Sequence, residues 1–99
     1  MKENLKKEVL TAVSAVFGDV DTNGVDVDFS DNFGDYATNV ALVLAKRVGK
    51  NPREVAEVIL AKLRAKEIEH VEKVEVAGPG FINFYLTDAF FVQEVEHIL

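Results

Sequence analysis

The residues best suited to metal chemistry stand together in the stretch DVDTNG, Asp19 to Gly24. Asp-x-Asp-x-Asn-Gly is how an EF-hand calcium loop opens, with carboxylates and a carboxamide at alternate positions and a glycine for the sharp turn. Such a loop closes with a bidentate Glu at its twelfth position, and here that position is Ser30. The eighth position, normally apolar, is Asp26, and Val25, Val27 and Phe29 then alternate with Asp26 and Asp28 as a strand does. The second helix of an EF-hand is therefore missing. Asp21-Thr-Asn-Gly24 reads as turn chemistry between a helix and a strand, and no metal ligand is assigned.

Covalent chemistry finds little to work with. Ser14 and Ser30 are the serines, His70 and His97 the imidazoles, and there is no cysteine. No spacing pairs either histidine with a nucleophile, and two histidines without a thiolate or a His-x-x-x-His pattern do not make a zinc site. The segment AGPGF, Ala77 to Phe81, lacks the spacing of a phosphate-cradling glycine loop and precedes a strand rather than a helix. No catalytic residue is assigned.

The elements around these residues follow from periodicity. From about Glu3 to Phe17, Leu5, Val9, Val13, Val16 and Phe17 recur at helical spacing, and Gly18 supplies a stop. After the strand at 25–29 and a turn at SDNFGD, the run YATNVALVLAKRV is helical, and its apolar block Val40–Ala45 predicts deep burial. Gly49 ends that helix. Asn51 caps the next, with Pro52 at its first position, Glu54 placed for a capping box, and Val55, Val58, Ile59 and Leu63 on its buried side. VEKVEVA and FINFYL read as two strands joined at GPG, with Pro79 and Gly80 in the central positions of a type II turn. A terminal helix follows, with Thr87 as cap and Phe91, Val95 and Ile98 on one side. The pattern predicts one α+β domain over residues 1–99, a two-layer sandwich whose antiparallel sheet carries helices on one face. A further short strand near Asn32 or Val20 is left open.

Bulk properties narrow the class. Ninety-nine residues, 48% of them hydrophobic, can bury a core without disulfides or metals. No apolar run is long enough to span a membrane, and the charged opening MKENLKKEVL lacks the apolar stretch of a signal peptide. With the lack of cysteine, this fits a cytoplasmic protein. A net charge of −6 argues against indiscriminate nucleic-acid binding, DNA included. The charge is unevenly spread: six acids and no Lys or Arg from Asp19 to Asp35, then seven basic residues from Lys46 to Lys66. A solvated helix surface explains that bias; phosphate contact is the sharper reading.

Strand parity singles out one face of FINFYL. Ile82, Phe84 and Leu86 share the core side, leaving Phe81, Asn83 and Tyr85 on the other. A ring, a carboxamide and a second ring in a row form a platform on which an unstacked base can lie while the amide reads its edge. Equally, Phe81 and Tyr85 can be covered by the terminal helix, whose Phe90 and Phe91 need partners.

Two stretches, FGDYATNVALVLAKRVGKNPREVAEVI and VEVAGPGFINFYL, resemble the N-terminal additional domain of arginyl-tRNA synthetases along nearly the whole chain. The start at Met1 suits a module at the front of such an enzyme. The resemblance implies a two-layer α/β domain that contacts the D-loop at the outer corner of an arginine-accepting tRNA. In that family an aromatic and an amide on the strand after the Pro-Gly turn approach a D-loop base, and Phe81 and Asn83 match those positions. Gly78 and Gly80 would let the backbone approach RNA closely, and Tyr85 extends the platform by parity. Within GDYATN, Asp35 and Thr38 are assigned to free amides at the start of the second helix. The His-Ile-Gly-His and Lys-Met-Ser-Lys-Ser signatures of class I activation domains do not occur. The resemblance thus implies an ATP- and magnesium-dependent ligase whose catalytic domain lies elsewhere, and a non-catalytic, cofactor-free tRNA-binding part here. A freestanding RNA- or protein-interaction module is the competing reading.

Overall fold

The computed structural model describes residues 2–29 and 35–87. The expected terminal helix beyond Thr87, together with Ser30 and His97, lies outside the described residues. In chain order the elements are α1 (Lys2–Phe17), β1 (Val27–Phe29), β2 (Tyr36–Thr38), α2 (Val40–Val48), α3 (Pro52–Arg64), β3 (Val71–Ala77) and β4 (Phe81–Leu86). The strands form an antiparallel sheet in the order β1-β2-β4-β3, so β2 and β4 are central. The three helices of the described residues lie on one face: α1 and α2 pack on α3, α3 on β3 and β4, α2 on β4, and α1 on β1. This is the expected α+β sandwich.

The helices start and stop where side chains replace missing backbone partners. Asn51 Oδ1 accepts from the Arg53 N–H at 2.8 Å and Pro52 occupies the first turn of α3. Gly49 closes α2 with its N–H on the Ala45 carbonyl, which also accepts from Lys50. The core joins Leu5, Val9 and Val13 of α1, Leu44 of α2, Val55, Ile59 and Leu63 of α3, and Ile82 and Phe84 of β4, all buried. Burying each such side chain contributes about 1.5–3 kcal/mol.

Four expectations are corrected. The helix read from Tyr36 begins only at Val40, because Tyr36–Thr38 pairs with both β1 and β4. Asp35 accordingly does not cap α2: its Oδ2 accepts from the Leu86 N–H at 2.7 Å, and its own N–H donates to the Phe84 carbonyl. Thr38 does serve α2, accepting from the Val40 N–H while donating to the Asp26 carbonyl at 2.7 Å. Val58 is 41% exposed rather than buried. At 100° per residue it lies about 130° from the centre of the stripe formed by Val55, Ala56, Ile59, Leu60 and Leu63. The β3–β4 connection departs from a type II turn at Gly80, whose φ is positive, as that turn requires, but stands at 152° rather than about 80°.

The calcium-like stretch is tied down by the chain's own groups. Asp21 Oδ1 accepts from the Asn23 N–H, and the Arg47 guanidinium donates to the carbonyls of Asp21 and Asn23 at 2.9 and 2.7 Å. Asn39 donates to the Gly24 carbonyl and accepts from the Asp26 N–H. Carbonyls that could face a cation here face a cationic side chain instead.

Candidate functional site

The face of the sheet turned away from the helices carries the candidate site. Register places Asp28, Ala37, Asn83 and Glu75 in one row across all four strands. The next row along β4 pairs Phe81 with Ala77, and the row on the other side pairs Tyr85 with Lys73. Ala37 and Ala77 raise only methyl groups, so among the described residues space stays open above them. The resulting pocket, about 540 Å³, is lined by Asp26, Asp28, Phe29, Ala37, Asn39, Ala77, Gly78, Pro79, Phe81 and Asn83.

Phe81 and Asn83 stand at different depths in it. The Phe81 ring is 39% exposed, a large apolar group left in contact with water. Asn83 is 1% exposed, sunk between the central strands rather than displayed at the surface. A short side chain on β4, with Phe81 and Tyr85 two residues away on the same face and Glu75 across, has little surface of its own. Its Oδ1 is buried without a hydrogen-bond partner among the described residues. Such an atom loses its hydration without replacement, at a cost of about 1–3 kcal/mol, and marks where a donor fits.

The other residues singled out by the sequence separate here. Gly78 lines the pocket and is exposed, with open space beside its Cα except for the Phe81 ring at 3.9 Å from an added Cβ. Gly80 is buried, and its bare Cα faces Pro52 at the start of α3. Tyr85 is half-buried outside the pocket lining, with Lys73 Nζ 4.6 Å from its ring centroid.

The charges follow the strand edges. Lys2 and Lys6 of α1 reach Asp28 and Asp26 at 3.0 and 3.9 Å, a helical i,i+4 pair matched to a strand i,i+2 pair. The hydrogen bond that Lys2 donates to Asp28, reinforced by the carboxylate's charge, raises the Lys2 pKa above the ordinary lysine value. Glu75 does the same for Lys73, whose Nζ lies 3.1 Å from its carboxylate. The basic residues of the Lys46–Lys66 segment belong to the helical layer. There Arg47 holds the 21–23 turn, Arg64 donates to the Val74 carbonyl, Lys66 pairs with Glu8, and Arg53 reaches the Gly78 carbonyl at 3.3 Å.

Parity along FINFYL is enough to put Phe81 and Asn83 on this face. Parity does not bring Ala37 and Asn39 to the same pocket, because β2 is three residues long and runs almost directly into a helix. Asp26 and Asp28 carried a usable signal, as the outward partners of Val25 and Val27. No helix among the described residues is long and apolar enough to cross a membrane.

Known proteins share this sequence and this arrangement. The arginine–tRNA ligase of Prosthecochloris aestuarii is 60% identical over 67 residues, covering 68% of this chain and 12% of that enzyme. The arginine–tRNA ligase of Listeria monocytogenes is 40% identical over 97 residues, 98% of this chain and 17% of its own length. The chain thus spans only 12% and 17% of the length of these two relatives. Among solved structures, arginyl-tRNA synthetase from Plasmodium falciparum superposes with a TM-score of 0.79 at 18% identity, over 95% of this chain and 17% of that one. Thermus thermophilus arginyl-tRNA synthetase gives 0.75 at 24%, over 95% and 15%. At those identities the likeness is one of fold. A family model described as the arginyl tRNA synthetase N terminal domain matches residues 3–86, and the chain belongs to that family.

Proposed function

We propose that the open face of this sheet is a tRNA-docking surface of an arginine–tRNA ligase, with Phe81 and Asn83 receiving an unstacked D-loop base at the outer corner of the tRNA. The observation that carries this reading is the buried, unpartnered Oδ1 of Asn83 at the base of a pocket walled by the exposed Phe81 ring. A flat, neutral group carrying an N–H donor satisfies both: its face lies against the ring, and its edge donates to the carboxamide oxygen. The Asp26 and Asp28 carboxylates on the pocket wall favour a base over a phosphate in this position. The Gly78 corner leaves the turn accessible to RNA, whereas the freedom of Gly80 serves the contact with Pro52.

On this reading the 99 residues act as one positioning domain. The catalytic domain of the same enzyme binds ATP, magnesium and arginine, forms the adenylate and esterifies the tRNA terminus. Holding the tRNA by its corner lowers the entropic cost of presenting that distant end.

The test is Phe81→Ala in the full-length ligase. Loss of one stacking platform is worth about 1–3 kcal/mol, so the KM for tRNA should rise roughly 5- to 150-fold while the KM values for ATP and arginine hold. An unchanged KM for tRNA, with the melting curve of the variant intact, would overturn the reading.

A further inference from the structure

A base in the Phe81–Asn83 pocket leaves its own phosphate to be placed, and the open face offers few groups for it. Its outward strand positions, by register, are Asp28, Ala37, Lys73, Glu75, Ala77, Phe81, Asn83 and Tyr85. Among these described residues Lys73 is the one cation. The basic residues of the Lys46–Lys66 segment sit in the helical layer, where Arg47, Arg53 and Arg64 donate to backbone carbonyls, and Lys2 and Lys6 of α1 are paired with Asp28 and Asp26.

Lys73 is also held in place. Its Nζ lies 3.1 Å from Glu75 Oε1 and 4.6 Å from the centroid of the Tyr85 ring, which keeps the ammonium over the sheet. Because Lys73 pairs with Tyr85 and Asn83 pairs with Glu75, Lys73 and Asn83 are diagonal neighbours on one face. Such neighbours stand about 7–8 Å apart, within the reach of one nucleotide from base edge to phosphate. We propose that Lys73 binds the phosphate of the nucleotide whose base enters the Phe81–Asn83 pocket, and that Glu75 opposes this contact by competing for the same ammonium. The assignment rests on the docking surface proposed above and gives the bound strand a direction, base toward Pro79 and phosphate toward Tyr85.

The experiment measures tRNA binding to the full-length ligase as a function of salt, for wild type, Lys73→Gln, Lys73→Arg, Glu75→Gln and Lys73→Gln/Glu75→Gln. Removing one phosphate contact should flatten the slope of log K against log[salt] by about 0.7–0.9 and weaken binding roughly two- to fivefold at low salt. Lys73→Arg should keep the slope. Changing the D-loop base should reduce affinity by the same factor in wild type and Lys73→Gln, because a phosphate contact carries no base information. Glu75→Gln should tighten binding, and by more while Lys73 is present, because it then both frees the ammonium and removes a like charge. A slope unaltered in Lys73→Gln, or a tightening by Glu75→Gln that is as large without Lys73 as with it, overturns the assignment. Phe81→Ala measured alongside separates the two readings. If it weakens binding while Lys73→Gln leaves the slope unaltered, only the phosphate assignment fails; if both are silent, the docking surface fails with it.

Discussion

A Cβ placed on Gly80 would stand 3.1 Å from the Cβ of Pro52 and 3.3 Å from the proline carbonyl carbon and oxygen. The turn that precedes Phe81 is therefore seated directly on the first residue of α3, and Arg53 adds a hydrogen bond to the Gly78 carbonyl from the same helix end. Helix and hairpin meet where the candidate pocket begins. That contact links the core layer to the face of the sheet turned away from the helices.

Gly80→Ala tests the link. The alanine meets proline backbone, which cannot swing aside, and a φ of 152° strains any L side chain. Together these should cost about 1–3 kcal/mol of unfolding free energy, read as a lower urea midpoint. Because the turn must shift, the KM for tRNA of the full-length ligase should rise as well. Gly78→Ala, at a φ of 58° with open space beside it, should cost less. Equal losses at the two glycines would show that the Pro52 contact carries no weight.

Asn83→Ala should separate folding from binding. Removing a buried hydrogen-bonded amide ordinarily destabilises, but this oxygen has no partner among the described residues. The substitution should leave stability unchanged or raise it by up to about 1 kcal/mol, while tRNA affinity falls. Thermal unfolding of the 99-residue chain and tRNA binding by the full-length ligase measure the two halves. A destabilisation of about 2 kcal/mol or more would mean that Asn83 is held by the fold rather than kept for a ligand.

Thr38 is fully buried and joins three elements through one hydroxyl, donating to the carbonyl of Asp26 and accepting from the amide that opens α2. Thr38→Val keeps the shape and removes both bonds, taking a partner from the buried Val40 N–H and from the half-buried Asp26 carbonyl. The expected loss is about 1–3 kcal/mol in urea unfolding. Thr38→Ser, which keeps the hydroxyl and loses only a methyl, should cost about 1 kcal/mol or less.

Much of this architecture is written locally. The two periods are visible along the chain: roughly four residues in α1 and α3, two in β3 and β4. Asn51, Pro52 and Gly49 mark helix ends because each answers a purely local need for a cap, a fixed φ or a left-handed residue. Alternation along six residues was enough to put Phe81, Asn83 and Tyr85 on one face and to send Ile82, Phe84 and Leu86 into the core.

Other features depend on partners far away in sequence. Tyr36–Thr38 becomes a strand because β1 and β4 flank it, and three residues carry too little periodicity to announce that. Asp35 serves Leu86, fifty-one positions on, rather than the helix beside it. Depth is likewise a tertiary property: parity makes Phe81 and Asn83 equals, and only the four-strand order buries one while leaving the other in water. Local sequence dictates which way a side chain points, through backbone geometry; what it meets there is decided by the packing of segments that the chain alone does not place side by side.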